Sequence, residues 1–353
     1  MNKMITPREL GISDAIPRPK RSDWRIGVVG YGGIAGVHIP AYLEAGWKIV
    51  AVADPDAQAR QRASQAIPGA RMYESYQELV SDPGVEVVSL LTQPTLRVPV
   101  VEAAFKNGKP VLTEKPFAIT IQECERMSVL SEQYNLPLAV SQNYRWNGAN
   151  FFAREIIMGG FIGEPFYAAI EIQGRQDVEL AKHPFYSQCE NFLTVQWNNH
   201  LADLLRCWLV KDPVRVLTCT RRMKGQNFNS DNLLMSIADY GENVTGHITH
   251  SELLHSTLSS ARCRVDGDAG SIVFDLYGTD LTIQCARTGE APCKLDLARV
   301  QLNSSFSGPM GDLLISLEEG REPETSARRN MPTIRHVLAE ERSAKAGGAW
   351  TAV

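Results

Sequence analysis

No stretch of this chain approaches the roughly 20 apolar residues that a membrane-spanning helix needs. The first segment, "MNKMITPRELGISDAIPRPKRSDW", also lacks the apolar core of a signal peptide. The expectation is a cytoplasmic protein with no membrane partner. Charge of one sign is equally scarce. A formal net charge of −4 over 353 residues leaves no basic footprint for nucleic acid. The cysteines (124, 189, 207, 219, 263, 285 and 293) are scattered, with no Cys-x-x-Cys and no Cys/His ligand spacing. An odd, unclustered set argues against a disulfide framework or structural zinc. The one His-x-x-His, His247 and His250, lies in "VTGHITHSELLH", which reads as a strand. Period two puts residues three apart on opposite faces, so no metal site is expected.

What is present is an ordinary globular composition, 44% hydrophobic and 22% charged, over a length that suggests two domains. Residues 1–23 read as an extended arm, because Pro17 and Pro19 stand among polar residues. From residue 24 onward, short apolar runs at 24–30, 47–54, 85–91, 109–115 and 136–142 read as buried strands. Between them, 57–66, 98–107 and 121–134 read as helices. Ser75 with Glu78 and Thr120 with Glu123 have capping-box spacing, and Asn107-Gly108 closes a helix. Strands separated by helices imply a parallel, doubly wound sheet, assigned to residues 24–145 as a Rossmann domain.

The first turn of that sheet reads "GYGGIA", with Gly30, Gly32 and then Ala35 at the third position of the dinucleotide fingerprint. The motif follows a strand and opens a helix, the context its mechanism requires. Gly30 permits the turn, Gly32 lets the backbone approach a pyrophosphate, and Ala35 lets the helix pack on the strand. Gly30, Tyr31, Gly32, Gly33 and Ile34 are therefore candidates for cofactor contact, with free helix amides facing the anion. Asp54 ends the second strand, where a carboxylate accepts from ribose hydroxyls and repels a 2′-phosphate. NAD is the expected cofactor. The run at 109–115 ends in Glu114-Lys115-Pro116, at the edge that overlooks the cofactor crevice. A lysine held there can bind a substrate hydroxyl and stabilise developing alkoxide charge.

With "GYGGIAGVH", "VAVADPD", "GKPVLTEKP", "SQNYRW", "GFIGEPF" and "DGDAGSI" in this order, the chain resembles the Gfo/Idh/MocA family. Glucose–fructose oxidoreductase and inositol dehydrogenase belong to that family. The resemblance extends to about residue 348. It implies that residues 146–353 form an α+β substrate domain with an open, mostly antiparallel sheet that often serves oligomer contacts, so a homo-oligomer (dimer or tetramer) is expected. The usual chemistry is hydride exchange between a nicotinamide and a hydroxyl-bearing carbon of a sugar, glycoside or polyol. The resemblance also implies cofactor contacts for Thr92, Gln93, Glu114, Lys115 and Asn143, and it sets Arg145 and Trp146 near the substrate. At the position where the family usually has a histidine, "TQPTLR" has Arg97.

The stretch "VQWNNHLADLL" aligns with the family's Asp-x-Gly-x-His as Gln196 to His200. In a helix residues four apart share a face, so Gln196 and His200 are expected to look together toward Lys115, with Asn199 beside them. His200 suits a general base, since an unperturbed imidazole titrates at about 6.5. Lys115 and His200 are the expected catalytic pair. Gln196 in place of a carboxylate cannot stabilise imidazolium by charge. Asp203 is expected to anchor the helix. The polar loop 174–191, with His183, reads equally as a sugar-binding loop or a solvated connector. Two rival readings stay open beside the dehydrogenase: glycoside cleavage through transient oxidation, and NAD(H) sensing without turnover.

Overall fold

The computed structural model describes residues 3–175, 178, 181–182, 187–227, 229–252, 258–279, 281–298 and 305–353. The chain divides into two compact units, each discontinuous in sequence. One comprises Pro17–Trp146 and Asn303–Met331; the other comprises Met1–Ile16, Asn147–Leu302 and Pro332–Val353.

After β1 (Lys3–Ile5), the first of these units carries β2 (Arg25–Val29), β3 (Lys48–Ala53), β4 (Arg71–Tyr73), β5 (Val87–Leu90), β6 (Val111–Thr113) and β7 (Leu138–Val140). All six pair in parallel, in the order β4-β3-β2-β5-β6-β7. This is the doubly wound order of a dinucleotide-binding sheet, with its crevice where the winding reverses, between β2 and β5. The helix Ala57–Ala66 has the expected bounds, and both capping boxes form, at Ser75/Glu78 and Thr120/Glu123. The strand absent from the sequence reading is β4. Three residues with a leading arginine make no apolar run to detect.

The core of this unit packs Ile26, Val28, Ile39, Tyr42 and Trp47 against Met310, Leu313 and Leu314 of the helix Ser307–Glu319. A segment expected in the substrate domain thus completes the nucleotide-binding unit. The arm departs from expectation too. Lys3–Ile5 pairs in parallel with a strand of the other unit, and Pro7–Leu10 forms a 3-10 helix. Thr6 and Glu9 cap that helix reciprocally, and Pro7 occupies the first turn, where a missing N–H costs nothing. Farther on, the amides of Lys20 and Arg21 donate to Glu318.

The other unit adds β8 (Pro165–Gln173), β9 (Arg215–Arg221), β10 (Leu233–Asp239), β11 (Thr245–Ser251), β12 (Ser260–Gly267), β13 (Gly270–Asp275), β14 (Thr282–Arg287), β15 (Cys293–Asp296) and β16 (Thr351–Ala352). With β1 they make a ten-stranded sheet, β1-β15-β14-β13-β12-β8-β11-β10-β9-β16. Its pairings are antiparallel except β1 with β15 and β8 with β11. The period-two pattern buries Ile170, Ile172, Leu234, Ile248 and Cys263 on one face, which packs against the helices Gly148–Met158 and Asn198–Leu209. His250 lies on that buried face and His247 on the other, as the strand period requires.

Candidate active site

The turn after β2 is built to admit a phosphate. Gly30 has φ +94°, and a Cβ there would meet the Leu91 carbonyl oxygen and Thr92 Cγ2 at 3.1 Å. Only glycine adopts that backbone cheaply. At Gly32, Gly33 and Gly36, by contrast, a Cβ would meet nothing within 4 Å, so the backbone is approachable from outside. The helix Ala35–Glu44 begins with no side-chain cap, leaving its first amides to an incoming anion. Ala35 itself is buried, as close helix–strand packing demands.

Asp54 sits at the carboxyl end of β3 and braces this turn. Its Oδ2 accepts from the Tyr31 amide at 2.7 Å and its Oδ1 from the Asp56 amide at 2.9 Å. Arg60 donates to the carbonyls of Asp54 (2.7 Å) and Pro55 (2.9 Å). The open glycine turn fits a pyrophosphate and the Asp54 carboxylate fits a ribose diol. Asp54→Ala should weaken NAD by about tenfold or more, through lost charge-assisted hydrogen bonds. The same change should leave NADP less affected, because a 2′-phosphate no longer meets a carboxylate. Titration of the protein and the variant with both cofactors checks this, and equal affinity of the unmodified protein for the two would sink the assignment.

The turn after β6 contains the cis peptide Lys115–Pro116. Lys115 is half-buried, while Glu114, Pro116 and Phe117 are buried. The Glu114 carboxylate was expected at the cofactor but turns into the protein. Its Oε1 bonds His38 Nε2 at 2.7 Å, and its Oε2 accepts the Lys115 amide at 3.0 Å. His38 Nδ1 in turn bonds the Tyr42 hydroxyl (3.0 Å), which reaches Ser89 Oγ (3.1 Å). Burial alone would raise the Glu114 pKa, but the hydrogen bond and charge of His38, with Lys115 and Arg97, bring it down to about 2. The Lys115 ammonium is shifted below its ordinary value, by burial first and by the Arg97 charge, with Glu114 opposing both.

Asn143 opens a 3-10 helix just after β7, buried, with its Nδ2 3.3 Å from Ser305 Oγ. Thr92 borders Gly30, Gln93 is exposed and Arg145 is half-buried. Trp146, expected near the substrate, packs inside this unit. It is only 4% exposed, and its indole lies where a side chain on residue 308 would be, a position that Gly308 leaves empty.

In the other unit, Phe192–Trp197 is a π-helix that passes directly into the α-helix Asn198–Leu209. The expectation that Gln196 and His200 share a face assumed α-helical spacing throughout. The hydrogen-bond step instead changes from i+5 to i+4 between them. Such π segments recur at functional sites. Gln196 is half-buried, Asn199 is fully buried, and His200 is buried at the start of the α-helix. Asn198 donates to Glu340 Oε2 at 2.8 Å, and Asp203 accepts from Thr333 at 3.0 Å, anchoring the helix. Trp197 meets the ring of His250 edge-on, and His250 bonds Glu252 at 2.8 Å in a fully buried pair. His183 lies outside the described residues.

The sequence reading missed His38, Asn198, His250 and Glu252. For His38 a signal existed, a polar residue on the apolar stripe formed by Ala35, Ile39 and Tyr42. Asn198 finds its partner 142 residues away, and the His250–Glu252 pair spans only two residues but is buried by the fold.

A sheet wound in this order, with an open glycine turn, an aspartate at the end of β3 and a lysine at the next crevice edge, is the arrangement of a dinucleotide-binding domain. Residues 24–142 match the family model GFO_IDH_MocA, described as an oxidoreductase family with an NAD-binding Rossmann fold. That match spans the nucleotide-binding part of the chain, which takes NAD as its cofactor. Among its relatives is a D-apiose dehydrogenase of Paraburkholderia graminis, 27% identical over 91% of this chain and 87% of that protein. Two solved structures share the fold. An oxidoreductase from Agrobacterium radiobacter in complex with NAD+, L-tartaric acid and magnesium has TM-score 0.84 and 21% identity over 94% of this chain and 98% of its own. A levoglucosan dehydrogenase in complex with NADH and levoglucosan has TM-score 0.80 and 18% identity over 94% and 99%.

Proposed function

We propose that the chain is an NAD-dependent dehydrogenase acting on a hydroxyl-bearing carbon of a sugar or related polyol. The observation that carries this reading is the turn Glu114-Lys115-Pro116, whose acid is held inward by His38 and whose backbone sets Lys115 at the carboxyl end of β6. The turn stands at the same sheet edge as Gly30 and Asp54. The relative named for D-apiose and the neighbour crystallised with levoglucosan support the substrate class.

Gly30 to Ile34, Asp54, Thr92, Gln93, Lys115 and Asn143 would hold the cofactor, and bound NAD supplies the acceptor for the electrons that leave the carbinol carbon. Lys115 holds the substrate oxygen and offsets the negative charge that grows on it. His200 takes the hydroxyl proton. Gln196 and Arg145 orient the remaining hydroxyls. The test is a panel of free sugars, polyols and aryl glycosides with NAD, following absorbance at 340 nm together with aglycone release. Net NADH supports the dehydrogenase. Release without net NADH replaces it with redox-assisted glycoside cleavage, and neither signal leaves a binding protein.

The reading includes self-association. One row across the more exposed sheet face runs Leu217, Ile237, His247, Ala169, Arg264, Val273, the register fixing each neighbour. Met235 and Ile237 on this face are 43% and 42% exposed, an apolar area of the kind that subunit contacts cover. Sedimentation velocity should report a dimer or larger, and Ile237→Glu should shift it toward monomer. A monomeric unmodified protein would refute this part.

A further inference from the structure

Arg97 is the residue at which this chain departs from the histidine usual at that position, and it is almost fully buried, at 2% exposure. It forms no carboxylate ion pair among the described residues. Instead its guanidinium is spread over main-chain oxygens. Nη2 donates to the carbonyls of Thr92 (3.2 Å) and Lys115 (3.3 Å), and Nη1 donates to those of Pro116 and Phe117. One planar fork therefore ties the loop after β5 to three consecutive carbonyls of the lysine turn after β6. A histidine has two ring nitrogens and cannot reach four acceptors. A lysine has the charge without the fork.

We propose that Arg97 is the positioning residue of the Lys115 turn, fixing the backbone on which the lysine stands and coupling it to the cofactor loop at Thr92. This rests on the reading of Lys115 as the group that holds the substrate oxygen. A second consequence follows from the same geometry. Because carbonyl dipoles hold Arg97 Nη1 and Nη2 without neutralising the guanidinium, its positive charge acts on the turn that carries Lys115. Like charges in a poorly solvated place disfavour each other, so Lys115 loses its proton more easily than the nearby charge of Glu114 alone would allow. The other groups facing this cluster are Glu114, held by His38, and the neutral thiol of Cys124, which burial pushes up to about 12. The backbone of the lysine is thus held by an anion at its amide and by a cation at its carbonyl.

The test reads Lys115 directly, without a substrate. The full-length protein is labelled with acetic anhydride across a pH series, and acetylation of the Lys115 peptide is quantified by mass spectrometry. Arg97→Gln removes the charge and should raise the labelling midpoint by about one pH unit. Arg97→Lys keeps the charge, so its midpoint should stay, but its plateau labelling rate should rise several-fold because one ammonium cannot hold the turn. An unchanged midpoint in a folded Arg97→Gln protein overturns the charge coupling. Where Arg97→Gln does not fold, an unchanged plateau in Arg97→Lys overturns the positioning role. A shifted midpoint together with full turnover by Lys115→Ala would keep this inference and remove the functional reading. The converse pair of results would do the opposite.

Discussion

Lys115→Ala is expected to lower kcat on the oxidised sugar by about 10²–10³, the usual cost of removing one donor from a developing oxyanion. NAD affinity should stay within a few-fold, because the glycine turn and Asp54 do not depend on the lysine side chain. The backbone at this position is held independently of that side chain. Glu114 accepts the Lys115 amide, and Arg97 holds the carbonyls of Lys115, Pro116 and Phe117. Truncation to alanine therefore removes the ammonium and spares the turn, so the measurement reports chemistry and not unfolding. Steady-state kinetics paired with NAD titration separates the two. A variant within a few-fold of the unmodified enzyme would mean that the Glu-Lys-Pro turn is only a structural joint here.

The second large effect is expected at His200. His200→Asn should lower kcat/KM by about 10²–10⁴, the range of a lost general base, and should abolish the limb on which activity rises with pH. Asparagine retains polarity and much of the volume at a buried position, and the helix has anchors elsewhere, through Asn198 to Glu340 and Asp203 to Thr333. The melting temperature should therefore change little. A variant that keeps the same pH limb would transfer the proton to another group. Asp203 is a poor substitute, since its carboxylate already accepts from Thr333 and lies 3.7 Å from Arg206.

Local patterns decided much of what the sequence reading obtained. Each parallel strand is buried on both faces, so it registers as a short apolar run, and five of the six were legible in that way. The fingerprint turn was legible because a φ of +94° at Gly30 is a demand that only glycine meets cheaply. Capping boxes were legible because both partners lie within one turn. β4 was not, since Arg71–Tyr73 is short and only half-buried beyond its arginine.

Around the candidate site the division is sharper. Lys115, Asp54 and His200 were singled out by motif and position, but the partners that fix their surroundings were not. His38 meets Glu114 across 76 residues, and Asn198 meets Glu340 across 142. No periodicity encodes such pairings, because they depend on which helix packs over which strand. The π-to-α step between Gln196 and His200 escaped for a related reason, as hydrophobic spacing does not reveal one extra residue in a turn.

By itself the sequence determined the parallel sheet, the cofactor turn and the residue types available for chemistry, since these follow from short-range sterics and from periodic burial, while the second sheet was implied only by resemblance. Only the tertiary structure decided that residues 303–331 complete the nucleotide-binding unit, that Met1–Ile16 belongs to the other one, and that Glu114 faces inward. Those outcomes come from long-range packing. The apolar face of the helix Ser307–Glu319 finds its cover on Ile26, Ile39 and Trp47, and a buried carboxylate settles where a histidine and an amide can satisfy it.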